Sequence, residues 1–165
     1  MLKPQVLAAL NRQIQLELTA SYDYLAMSAY FDREVLKGFA GYFRKQSEEE
    51  RDHAMRIFEY IQDSNERVAL GPINAPKAEF TSALDAFKHA RDTERANTAS
   101  IHALYTLAVK ENDLPTQTML QWFINEQVEE EKWTEEFVTM AEKIGPHTGA
   151  LFMFDHRVSK RADKE

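Results

Sequence analysis

Cysteine is absent from all 165 residues. That removes disulfide frameworks, thiolate zinc sites, iron–sulfur clusters and cysteine nucleophiles at once. Glycine and proline are scarce, five of each, so the chain has few places to break a helix. No apolar run approaches the ~20 residues that span a bilayer. The opening MLKPQVLAALNRQIQLE lacks a long apolar core followed by a small-residue cleavage site, so no membrane partner is expected and the expected location is cytoplasmic. Basic runs are missing too. Twenty Lys and Arg against 27 Asp and Glu leave a formal net charge of −7, with nothing arranged to neutralise phosphates, so nucleic acid is not an expected partner. An acidic balance favours cations, though only weakly as a signal. What remains, 44% hydrophobic and 28% charged residues, is the composition of an ordinary globular protein, long enough for one domain with a real core.

The sparse breakers divide residues 1–165 into long helical segments. Pro4 suits the first turn of a helix over about 4–36, where a missing N–H costs nothing. Lys37-Gly38 reads as a break, and a second helix follows over about 38–65. The stretch 66–79 contains Gly71-Pro72 and Ala75-Pro76, which no helix passes through. Thr81-Ser82 are capping residues for a third helix over 81–111. Asn112-Asp113 cap a fourth over 114–144, with Pro115 in its first turn and Gly145-Pro146 at its end. A short amphipathic helix over 148–159 follows, and the closing RADKE reads as a frayed tail. Four helices of about 28–33 residues, each some 40–50 Å long at ~1.5 Å per residue, define an all-α four-helix bundle. Short connections make helices one and two, and three and four, antiparallel neighbours. The long connection between two and three crosses the bundle and sets those two parallel.

Each long helix carries an apolar stripe with an ionisable interruption near its middle. The first reads Leu7, Leu10, Ile14, Leu18, Ser21, Leu25, with Glu17 on it. The second reads Phe39, Phe43, Gln46, Glu50, His53, Ile57, Tyr60. The third reads Leu84, Phe87, Glu94, Ile101, Leu104, Ala108. The fourth reads Leu120, Phe123, Gln127, Glu130, Phe137, Ala141, Ile144. Neighbours of equal length bring their midpoints to one level, so Glu17, Glu50, His53, Glu94 and Glu130 converge on one small volume. Unpaired, each buried carboxylate costs several kcal/mol, and four rival the ~5–15 kcal/mol net stability of a domain. The stripes offer no lysine or arginine to offset them beyond the marginal Arg91. A bound multivalent cation relieves the cost. Four carboxylates and one imidazole suit iron or manganese better than structural zinc. Glu50 and His53 form an E-x-x-H pair at i, i+3, and such pairs joined by glutamates from other helices are the di-iron arrangement of helical bundles.

Those residues give the chain its resemblance. It is similar to the non-haem bacterial-type ferritins along essentially its whole length, through LELTASYDYLAMSAYF (16–31), EEERDHAMRIFEYI (48–61), the glutamate of ARDTERANT (90–98) and LQWFINEQVEEEK (120–132). The resemblance implies a ferritin-like bundle with one long crossover loop and a short fifth C-terminal helix. It implies that Glu17, Glu50 and His53 hold one iron and that Glu50, Glu94 and Glu130 hold the other, Glu50 bridging. Gln127 sits beside the pair, and Glu49, Glu126, Glu129 and Glu130 match a third iron site. Tyr24 matches a tyrosine near the centre and is a candidate electron donor. The implied activity is a ferroxidase that oxidises Fe(II) with dioxygen or hydrogen peroxide and stores ferric oxyhydroxide in a homo-oligomeric shell of twenty-four subunits.

Departures separate the relatives. Bacterioferritins repeat E-x-x-H on the fourth helix, where this chain has Gln127 and Glu130. Their haem-ligating methionine follows the second-helix glutamate, where this chain has Arg51, so no haem is expected. Rubrerythrins need an iron–thiolate module, which a cysteine-free chain lacks. Animal-type ferritins carry carboxylates early in the fourth helix; Thr116–Leu120 has none. Alternatives to weigh are a soluble di-iron oxidase or peroxidase without mineral storage, a DNA-protecting miniferritin, and a structural helical module. Trp122 and Trp133 read most simply as packing.

Overall fold

The structure, a computed structural model, describes residues 2–162. The described residues form five helices: α1 (Pro4–Arg33), α2 (Lys37–Asp63), α3 (Ala83–Lys110), α4 (Leu114–Ile144) and α5 (Thr148–Ala162). Among the described residues there is no strand, and no helix is long and apolar enough to cross a membrane. Residues 161 and 162 of the expected tail form the end of α5; the rest of it lies outside the described residues.

Local chemistry sets the helix ends. Pro4 opens α1. The Ser82 side chain accepts from Asp85 N at 3.1 Å, while the Asp85 carboxylate accepts from Thr81 N at 3.0 Å, a reciprocal pair that starts α3. Asp113 does the same for α4, accepting from Thr116 N at 3.2 Å. Gly145, at φ 57°, stops α4.

The first turn differs from the sequence reading. The chain breaks at Glu34–Leu36, where Val35 adopts φ 61°, an uncommon conformation for a β-branched residue. Gly38 does not break anything; it sits buried inside the first turn of α2. Its glycine is needed for space: a Cβ there would stand 1.9 Å from the carbonyl oxygen of Asp155 on α5. The Asp155 carboxylate accepts from Gly38 N at 3.0 Å and Phe39 N at 2.7 Å. A residue more than a hundred positions away thus satisfies the orphan donors of α2.

The bundle packs α1 on α2 and α3 on α4, with α1 also against α3 and α5 against α2. The crossover, residues 64–82, runs along α1. Ala69 N donates to Asn11 at 2.7 Å, Gln15 donates to the Pro72 carbonyl at 2.5 Å, and Arg33 pairs with Glu79 at 2.7 Å. It therefore travels from one end of the bundle to the other, and α3 starts beside the start of α2, where Phe39 and Phe87 pack at 5.0 Å. That makes α2 and α3 parallel.

Two apolar clusters fill the interior. One end is aromatic, with Phe31, Phe39, Phe43, Phe87, Phe137 and α5's Phe154 in mutual contact. The other is mainly aliphatic, built on Val6, Leu10, Ile14, Ile57, Ile61, Ile101 and Leu120. The polar layer lies between them. One part of the expected stripes is wrong: Leu25 is 48% exposed, and the buried face of α1 continues through Ala20, Tyr24, Met27 and Phe31 instead. At 3.6 residues per turn the face reached from Glu17 passes through Tyr24, and choosing Leu25 followed hydropathy over geometry.

Candidate metal centre

Each long helix contributes to the layer at mid-length. Glu17 comes from α1, Glu50 and His53 from α2, Glu94 from α3, and Glu130 with Gln127 from α4. All six are buried, Glu17, Glu50 and Glu94 completely. Donor atoms of Glu17, Glu50 and His53 lie within 4.8 Å of one another, as do those of Glu50, Glu94 and Glu130. Glu50 is common to both groups. Its Oε2 is 3.4 Å from His53 Nδ1.

The carboxylates differ in what supports them. Glu17 Oε1 accepts from Gln13 at 2.8 Å and Oε2 from Asn97 at 2.9 Å. Glu94 accepts from the Tyr24 hydroxyl and, at 3.1 Å, from Gln127 Nε2, which also donates to Thr98 at 3.1 Å. Glu130 accepts from the Trp133 indole N–H. Glu50 is bare. Both its oxygens are buried without a hydrogen-bond partner, and so is His53 Nδ1.

Electrostatics follow from that arrangement. Burial, then the facing Glu94, Glu17 and Glu130, push the Glu50 carboxyl well above the usual carboxylate range. Burial and Glu94 raise Glu130 likewise, against the opposing Trp133 hydrogen bond. Glu94 is pushed up to about 7 by burial, with Tyr24 and Gln127 working the other way. Burial lowers His53, partly offset by Glu17 and Glu126, so the imidazole is held neutral and able to ligate. Tyr24 is raised by burial and the surrounding carboxylates and keeps its proton. These are groups that a multivalent cation would relieve together.

The remaining expected residues divide. Glu126, half-buried, joins His53 and Glu130 in a third group with donors within 4.8 Å. Glu49 and Glu129 belong to none of the three groups; Glu49 accepts from Gln46, and Glu129 is exposed. Gln127 turns its amide to Glu94 and Thr98. Trp122 packs edge-on to the His53 ring at 5.3 Å, with Arg56 stacked over it at 4.2 Å. The sequence reading missed Gln13, Asn97 and Trp133. Their signal was available: each is polar, on a buried face, and three or four residues from a core glutamate on its own helix.

A bundle with four buried carboxylates and one imidazole at a single depth is an all-α protein whose polar layer could hold a metal. Residues 7–144 match the Ferritin-like domain family. The chain is 39% identical to a bacterial non-heme ferritin of Staphylococcus epidermidis across 165 residues, 100% of this chain and 99% of the relative. It is 36% identical to a bacterial non-heme ferritin of Staphylococcus aureus over the same extents. An open pore ferritin from the archaeon Archaeoglobus fulgidus superposes with a TM-score of 0.95 at 38% identity, covering 96% of this chain and 98% of that one. The chain belongs to the ferritin family.

Proposed function

We propose that the protein is a cytoplasmic ferroxidase and iron store, taking Fe(II) as substrate between Glu17, Glu50, His53, Glu94 and Glu130. The observation that carries this is the state of Glu50. It belongs to both three-residue groups and is bare of hydrogen-bond donors, whereas each of the other three carboxylates has at least one. An ionised carboxylate has about four lone-pair positions, and those of Glu50 are free for two cations at once. Glu17 and His53 complete one position, Glu94 and Glu130 the other.

Two Fe(II) ions held this way give two electrons to dioxygen, which takes up two protons as hydrogen peroxide, or to hydrogen peroxide, which becomes water. Anionic oxygen ligands favour Fe(III) over Fe(II), so the ligand set itself drives the oxidation. Tyr24, whose hydroxyl donates to Glu94, is the candidate electron donor beside the pair. Glu126, grouped with Glu130 at the edge of the layer, supports a third iron position, with Glu49 and Glu129 as outer guides. Ferric product collects as oxyhydroxide inside a shell of twenty-four copies, in keeping with the ferritins that the chain resembles.

Aerobic Fe(II) addition to the assembled protein tests this. Rapid appearance of ferric absorbance with oxygen consumption, and iron co-eluting with a large assembly, is the expected result. Oxidation without retained iron would favour a di-iron oxidase, and tight duplex-DNA binding a DNA-protecting miniferritin.

A further inference from the structure

Glu17 is the one carboxylate of the layer held on both oxygens by side-chain amides, Gln13 on Oε1 and Asn97 on Oε2. The two amides are themselves locked together. Gln13 Nε2 also donates to Asn97 Oδ1 at 2.5 Å, and the Ser100 hydroxyl donates to Gln13 Oε1 at 2.6 Å. Gln13 therefore has both N–H groups and its oxygen engaged, and its amide has one workable orientation. Gln13, Glu17 and Asn97 are buried, so water contributes little to the arrangement.

From this geometry we propose that Gln13 and Asn97 are positioning residues that fix Glu17 for the cation it shares with Glu50 and His53. The inference rests on the reading of those three as one iron position. Neutral amides are suited to the task. They occupy one lone pair on each Glu17 oxygen and fix the plane of the carboxylate, yet leave its negative charge for the metal. A lysine or arginine in their place would neutralise it. No such clamp exists on Glu50, which must reach two cations. The two iron positions are thus held differently: Glu17 by two neutral amides from α1 and α3, Glu94 by the Tyr24 hydroxyl on Oε1 and the Gln127 amide on Oε2, and Glu130 by the Trp133 indole.

The rival account is structural. Gln13 lies on α1 while Asn97 and Ser100 lie on α3, so the network also ties two helices together. The two accounts separate in metal binding. Co(II), which neither needs oxygen nor turns over, is titrated anaerobically into the assembled metal-free protein. The unsubstituted protein, Asn97→Leu, Gln13→Leu and Asn97→Asp are compared by calorimetry and ligand-field absorption, with the melting temperature recorded for each. Second-sphere partners of metal ligands typically contribute about 10–100-fold in affinity. The expected result is a loss of that order at one of two Co(II) positions in both leucine variants, with the other position unchanged. Asn97→Asp keeps the acceptor for Gln13 but replaces the N–H on Glu17 with a negative charge, so it shifts the affinity of that same position and leaves the other unchanged. Unchanged affinities, or equal weakening of both positions in step with the melting temperature, overturns the proposal. Absence of two Co(II) positions in the unsubstituted protein would instead remove the reading on which it rests.

Discussion

The Trp133 indole N–H donates to the Glu130 carboxylate one turn earlier on α4, so a core tryptophan also serves the polar layer. Its ring meanwhile packs against Tyr24 at 6.2 Å and Tyr42 at 5.2 Å. Trp133→Phe keeps most of the packing and removes the donor. The expected outcome is a fall in Fe(II) oxidation rate of about tenfold or more, in line with the loss of other second-sphere partners. The melting temperature should change little by comparison. Stopped-flow ferric absorbance beside a thermal melt checks both.

The metal-free protein should be least stable on the alkaline side. Glu50, Glu94 and Glu130 have folded values above the ordinary carboxylate value, Glu94 at about 7. The folded state then binds more protons than the unfolded state between that ordinary value and the raised one, so stability falls as pH rises through the window. His53, lowered by burial, opposes this only below the ordinary histidine value, where the unfolded chain gains a proton that the folded one refuses. Three groups outweigh one. Chelator-treated protein should melt higher near pH 5.5 than near pH 7.5, and added metal should reverse that order by making the carboxylates welcome as anions.

Glu50→Gln should stabilise the metal-free protein while disabling it. The substitution keeps the shape and deletes a bare buried acid. Replacing buried ionic groups with neutral ones can stabilise by about 1–4 kcal/mol. The gain should be present at pH 8 and shrink by pH 5, where the native carboxyl is already protonated. Melting curves of chelated samples at the two pH values measure it, and a uniform loss of stability would contradict the description of Glu50 as bare.

Gly38→Ala tests how α5 is held. The new methyl would stand 1.9 Å from the Asp155 carbonyl oxygen, which is backbone and cannot step aside cheaply. Overpacking of this kind costs about 1–3 kcal/mol. Asp155→Ala should cost a similar amount through two lost charge-assisted bonds at the start of α2. In both variants, amide exchange should quicken at Gly38 and Phe39 and along α5, and remain slow around Ile57 and Ile101.

Much of this was legible in the sequence because the bundle obeys one period. The four interruptions of the apolar stripes meet at one depth, and the long crossover follows from Gly71-Pro72 and Ala75-Pro76. The misreadings came where hydropathy and geometry disagree. Leu25 looked like core and faces outward; Tyr24 beside it, more polar by composition, is completely buried. Gly38 looked like a breaker because its reason lies at Asp155, a contact no local pattern reveals. Gln13 and Asn97 each lie one turn from a core glutamate on their own helix, which is legible in the sequence; that both amides meet on Glu17 emerges only once α1 and α3 are side by side. Glu129 and Glu130 are chemically identical neighbours in the chain, and only helix phase separates an exposed carboxylate from a buried one.

The most direct measurement is aerobic Fe(II) oxidation by the assembled protein beside a Glu50→Gln, His53→Ala double variant that retains the assembly. The unsubstituted protein should show a fast phase saturating at about two irons per subunit, as expected of a paired-metal bundle site, and the double variant should lose that phase. Identical fast phases in the two proteins would show that oxidation takes place somewhere other than the layer built around Glu50.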